Sequence, residues 1–74
     1  MNRNAAAIID LQKSTTYDPA NYMAFYQLGK VYEKIKNERS ALVAYERFLS
    51  IEPDEKELVE EVQKKVLSLS AKYY

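Results

Sequence analysis

Seven tyrosines, a stripe of methionine, lysine and glutamate, and a complete lack of histidine and cysteine set the chemistry open to this chain. Without histidine, the usual general base near neutral pH and the commonest metal ligand are both missing. Without cysteine there is no thiolate nucleophile, no thiolate metal site and no disulfide. Phenols and carboxylates remain, but no spacing fixes a carboxylate pair across two elements. One glycine cannot build a loop that cradles phosphate. The chain therefore reads as non-enzymatic, with no cofactor and no metal. Recognition fits better: Met23, Tyr26, Lys30 and Glu33 recur at helical spacing, with Tyr22 at their edge. Aromatic and methionine side chains beside charges suit contact with a protein or peptide.

Charge narrows the partners further. Eleven basic and eleven acidic residues cancel, and the isoelectric point is near 6.2. A neutral chain has no electrostatic pull toward nucleic acid or an anionic membrane surface. No apolar run approaches the ~20 residues of a membrane span. Met1-Asn2-Arg3 followed by Ala5 to Ile9 faintly echoes a signal peptide, but the apolar stretch is short and Asp10 interrupts it. Lack of cysteine fits cytosol and periplasm alike, so the compartment stays open, with a lean toward the cytoplasm.

Four helices and no strand must position these residues: an all-α chain of one domain over 1–74, with helices at about 4–16, 21–35, 38–51 and 54–72. Ala7, Ile8 and Leu11 give the first helix its apolar set. Asp18-Pro19 ends it, because a residue before proline is pushed out of the α region. Asn21 or Asp18 caps the second helix, whose stripe is Phe25, Leu28, Gly29 and Tyr32. Gly29 stands in a helix interior, where glycine costs up to about 1 kcal/mol relative to alanine. Its presence predicts close approach by another helix. Lys36-Asn37 makes a tight turn, and the third helix presents Ala41, Leu42, Ala44, Tyr45, Phe48 and Leu49. A short connection and matched small residues predict an antiparallel hairpin. In the fourth helix the stripe is Leu58, Val59, Val62, Val66, Leu69 and Tyr73. Asp54 with Glu57 has the form of a capping box, and Glu60–Lys64 and Glu61–Lys65 are spaced to pair on a solvated face.

Pro19 and Pro53 stand 34 residues apart, and Phe25, Leu28, Gly29, Tyr32, Ala41 and Tyr45 lie between them. In this frame residues 21–53 resemble a tetratricopeptide repeat, with Phe25 where that family usually has tryptophan. Two positions depart: Phe48 stands where alanine is common, and Lys36 where the turn often has glycine. Phe48 would either push the neighbouring helix outward or fill the gap left by Phe25. The resemblance implies an α-solenoid of helical hairpins acting as a protein-interaction scaffold. First helices of successive repeats would line a concave groove for a peptide or partner helix. Met23, Tyr26, Lys30 and Glu33, with Tyr22, would face it. The family's clamp for a partner's C-terminal carboxylate is not expected, because Tyr26 takes one of its places and no matching pair follows in the fourth helix.

Shifting by the repeat length turns Ala41 into Ala7, Tyr45 into Leu11 and Pro53 into Pro19. Forward, Phe25, Leu28 and Tyr32 become Val59, Val62 and Val66. The first helix thus resembles the second helix of a preceding repeat, and the last resembles a first helix. Gln63 replaces Gly29 and reads as the mark of a closing cap. These features suggest the C-terminal part of a longer array. They also open a second reading: a structural end cap, or a homodimer or larger self-assembly joined through Ile8, Ile9, Leu11 and Leu67, with Tyr74 beside Leu67.

Overall fold

The structure, a computed structural model, describes residues 3–73, with Tyr73 described by its backbone alone. The expectations for Tyr74 and for the Tyr73 side chain lie outside the described residues. Four helices follow one another: α1 (Arg3–Tyr17), α2 (Tyr22–Lys34), α3 (Glu38–Ser50) and α4 (Lys56–Tyr73). Each packs mainly on its neighbours in the chain, α1 on α2, α2 on α3, and α3 on α4. This is the all-α array of antiparallel hairpins that the sequence predicts.

The α2–α3 hairpin is fixed at both ends of its turn. Ile35 closes α2, and Lys36 takes the left-handed conformation with φ of 65°. The Lys36 amide donates to the Glu33 carbonyl at 3.1 Å and the Asn37 amide to the Tyr32 carbonyl at 2.9 Å. That pair of bonds is a Schellman closure, normally built on glycine. Asn37 then opens α3, its side chain accepting from the Ser40 amide at 3.4 Å. Glu52, with φ of 57°, repeats the left-handed stop after α3. Of the two candidate caps for α2, Asn21 serves, accepting from the Ala24 amide at 3.3 Å.

Two local expectations are corrected. α4 begins at Lys56 rather than Asp54, and its first carbonyl acceptor is Glu55, bonded by the Val59 amide at 2.9 Å. Left-handed Glu52 and Pro53 need the next two residues to swing the chain, so Asp54 lies outside the helix and the Asp54–Glu57 capping box does not form. Nor do Glu61 and Lys65 pair with each other on a solvated face. Both are half-buried and turn toward α2.

The core lies between α2, α3 and α4. Tyr45, Phe48, Leu42 and Val62 are its largest fully buried side chains, joined by Ala41 and Leu69. Burial of a leucine, valine or phenylalanine side chain contributes about 1.5–3 kcal/mol. Phe48 fills space rather than displacing a helix: its ring meets Tyr22 edge-on at 5.9 Å and Tyr26 at 5.8 Å. Gly29 lies under the Tyr45 ring, where a Cβ would stand 2.6 Å from Tyr45 Cζ. Glycine lets the hairpin close over a tyrosine that has no room to move.

Candidate partner-binding site

The predicted recognition stripe on α2 divides in two. Met23 and Lys30 are exposed, whereas Tyr22, Tyr26 and Glu33 are half-buried. Tyr22 and Tyr26 lean on Phe48. The Tyr26 hydroxyl donates to Glu61 Oε2 at 2.8 Å and accepts from Lys30 Nζ at 3.3 Å. Lys30 Nζ also stands 5.1 Å from the Tyr26 ring centre. The hydroxyl beside it raises the Lys30 ammonium above the ordinary lysine range.

Glu33 is the hub of a second cluster. It accepts from the Tyr45 hydroxyl and from Lys65 Nζ, the latter at 2.9 Å. Burial alone would raise the Glu33 carboxyl, but the bonds from Tyr45 and Lys65 outweigh it and hold the group below the usual carboxylate range. Burial and the adjacent carboxylate push the Tyr45 phenol upward. Three helices thus meet in one polar triad, so Tyr26 and Glu33 tie α2 to α3 and α4.

The residues singled out for self-association also separate. Ile9 is 53% exposed, like its repeat counterpart Val43 at 52%, and belongs to the outer face of α1. Ile8 and Leu11 are half-buried, and Leu67 on α4 is 71% exposed. Leu11 lines a slot of about 580 Å³ between α1 and α2, with Ala7, Asp10, Gln27, Val31, Lys30 and Lys34. At the other end of the molecule Leu67 lines a smaller recess of about 280 Å³ with Leu49, Gln63 and Val66. A third groove, about 610 Å³, is lined by residues of α1, α2 and α3, among them Gln12, Tyr32, Arg39 and Arg47. The Gln12 amide bridges it to the Tyr32 hydroxyl at 3.1 Å.

Moving the α1–α2 slot forward by one repeat shows what it is. Ala7, Leu11, Gln27 and Val31 become Ala41, Tyr45, Glu61 and Lys65. Those residues form the surface that α2 covers, through Gly29 under Tyr45, Tyr26 to Glu61 and Glu33 to Lys65. The slot therefore stands, one repeat back, at the position of the α3–α4 surface on which α2 packs. Its floor is apolar (Ala7, Leu11, Val31), and its rim carries Lys30, Lys34 and Asp10. Val31, Gln27, Ala7, Asp10 and Lys34 were not among the site residues predicted from sequence. Applying the same shift to Lys65 and Glu61 would have found the first two.

Residues 24–55 match the family model described as tetratricopeptide repeat. No curated protein and no solved structure matches the chain. Among the described residues, no helix is long and apolar enough to cross a membrane. Residues 24–55 are thus similar to a tetratricopeptide repeat, and they lie within an all-α array of four helices among the described residues.

Proposed function

We propose that this chain is a protein-interaction module that seats an amphipathic helix of a partner in the slot between α1 and α2. One observation carries this reading. Ala41, Leu42 and Tyr45 are 0%, 2% and 0% exposed, while Ala7, Ile8 and Leu11, at the same repeat positions, stay partly exposed. Surface patterned for burial gains from being covered, since apolar burial contributes roughly 25 cal/mol per Å² removed from water. The rim has two lysines to one aspartate, which favours a helix whose apolar stripe is flanked by glutamates.

A second reading, a peptide lying in the concave groove, is favoured by exposed Met23 beside Lys30. The two readings separate in one titration. A dye-labelled amphipathic helical peptide with glutamate flanks is followed by fluorescence anisotropy against the chain and its variants. Slot binding predicts that Val31→Glu abolishes the signal and Met23→Ala with Tyr26→Ala leaves it intact. The opposite pattern would transfer the site to the groove, provided circular dichroism shows each variant folded.

A further inference from the structure

We infer that the helix seated in the slot is α4 of a second copy of this chain, so that copies join head to tail. The inference rests on the slot reading above and names its occupant. Two open faces carry it. The α1–α2 slot corresponds, one repeat on, to the α3–α4 surface that α2 covers. The recess at Leu49, Gln63, Val66 and Leu67 corresponds, one repeat back, to Thr15, Gly29, Tyr32 and Glu33, where Gly29 and Glu33 receive Tyr45 of α3. One face has the register to receive a first-type helix and the other to receive a second-type helix. In the joint, α4 of one copy and α1 of the next form one composite hairpin.

The side chains at this composite joint change together, as contact requires. Within the chain, Gly29 opposes Tyr45, the smallest residue against a large ring. At the joint the same positions hold Gln63 and Leu11, a larger residue against a smaller one. The internal triad of Glu33, Tyr45 and Lys65 is polar in all three members. Its counterpart is Leu67 of one copy with Leu11 and Val31 of the next, apolar in all three. Leu67, with 71% of its surface exposed, gains a seat there. The Tyr26–Glu61 bond becomes Glu60 of one copy against Gln27 of the next, a carboxylate facing an amide donor. Swapping only one member of any set would leave a hole, a clash or a buried lone charge. The contact joins different surfaces, so it does not close on itself as a two-fold dimer does.

The test is solution mass by light scattering from micromolar to millimolar concentration. The wild-type chain should rise above its monomer mass of 8.6 kDa and keep growing, without a plateau at the dimer. Leu67→Glu, a change at an exposed position, should return the monomer mass with helicity unchanged. Adding Val31→Lys to Leu67→Glu rebuilds the carboxylate–lysine pair seen inside the chain and should restore growth. A wild-type monomer throughout, or growth that ignores Leu67→Glu, overturns the proposal, as does a folded double variant that stays monomeric. If self-association fails while the glutamate-flanked peptide still binds in a Val31-dependent way, the copy is wrong and the slot reading stands. If both fail, both readings fall.

Discussion

α1 and α3 carry the same apolar register, yet one is finished and the other open. Ala41, Leu42 and Tyr45 on α3 are covered on both sides by α2 and α4. Ala7, Ile8 and Leu11 on α1 have α2 on one side only, and no helix among the described residues lies on the other. The residue types track the difference. Where coverage is complete, the chain uses a tyrosine over a glycine, anchored by a carboxylate. Where a face is open, it uses leucine, valine and alanine, which tolerate water and gain from burial when a partner arrives. Repeat folds bury their core only against neighbours, so an end face is at once a cost and a docking surface.

The largest effect that would sharpen this comparison is truncation at the paired register positions. Tyr45→Ala should cost about 3–5 kcal/mol, enough to unfold a chain this small. Leu11→Ala should cost only about 1 kcal/mol, because part of its surface is already in water. Urea melts of the two variants measure the contrast, and equal costs would break it. Next comes the glycine. Gly29→Ala gains about 1 kcal/mol of helix propensity but drives a methyl into a buried ring, so it should still destabilise by about 1–2 kcal/mol. At the equivalent Gln63, alanine should be neutral or slightly stabilising.

The Glu33 triad gives a smaller effect and a pH signature. Glu33→Gln should cost about 1 kcal/mol, discounted because the Lys65–Glu33 pair is 31% exposed on each side. Glu33 has a folded-state pKa below its ordinary value, so its contribution is present above the ordinary carboxylate range. It is lost as pH falls through the lowered value. Stability measured against pH should show this acid-side loss in the wild type and less of it in Glu33→Gln. The smallest effect is at the caps. Asn21 and Glu55 are one repeat apart and open α2 and α4, but only Asn21 bonds a helix amide with its side chain. Glu55→Asn should raise the melting temperature, through about 0.5–1 kcal/mol.

Much of this was legible in the chain because period and spacing are local signals. The frame of Phe25, Leu28, Gly29, Tyr32, Ala41, Tyr45 and Pro53 fixed the hairpin, and a lone glycine in a helix announced the ring above it. Caps and pairs were read less well, since tertiary contacts compete for the same side chains. Glu61 and Lys65 have ideal spacing for each other, yet Tyr26 and Glu33 of α2 take them. The capping box failed for a backbone reason, the left-handed stop at Glu52 ahead of Pro53. The partner-facing residues divided by geometry. Tyr26 and Glu33 are expected from sequence to face a groove, but their bonds across helices are invisible to a stripe drawn on one helix. Val31 is not legible as a slot residue, because valine in a helix looks like core until it is set beside its repeat counterpart Lys65.

The most direct test of the account is the reactivity of two single thiols in an otherwise cysteine-free chain, Ala7→Cys and Ala41→Cys. Both substitutions are small, and they stand at one repeat position. At dilute concentration a thiol reagent should modify position 7 much faster than position 41, which is 0% exposed. Adding the glutamate-flanked helical peptide should then slow position 7 and leave position 41 unchanged. Equal rates, or a rate at position 7 that no helix can slow, would contradict the claim that α1 carries an open seat for a partner.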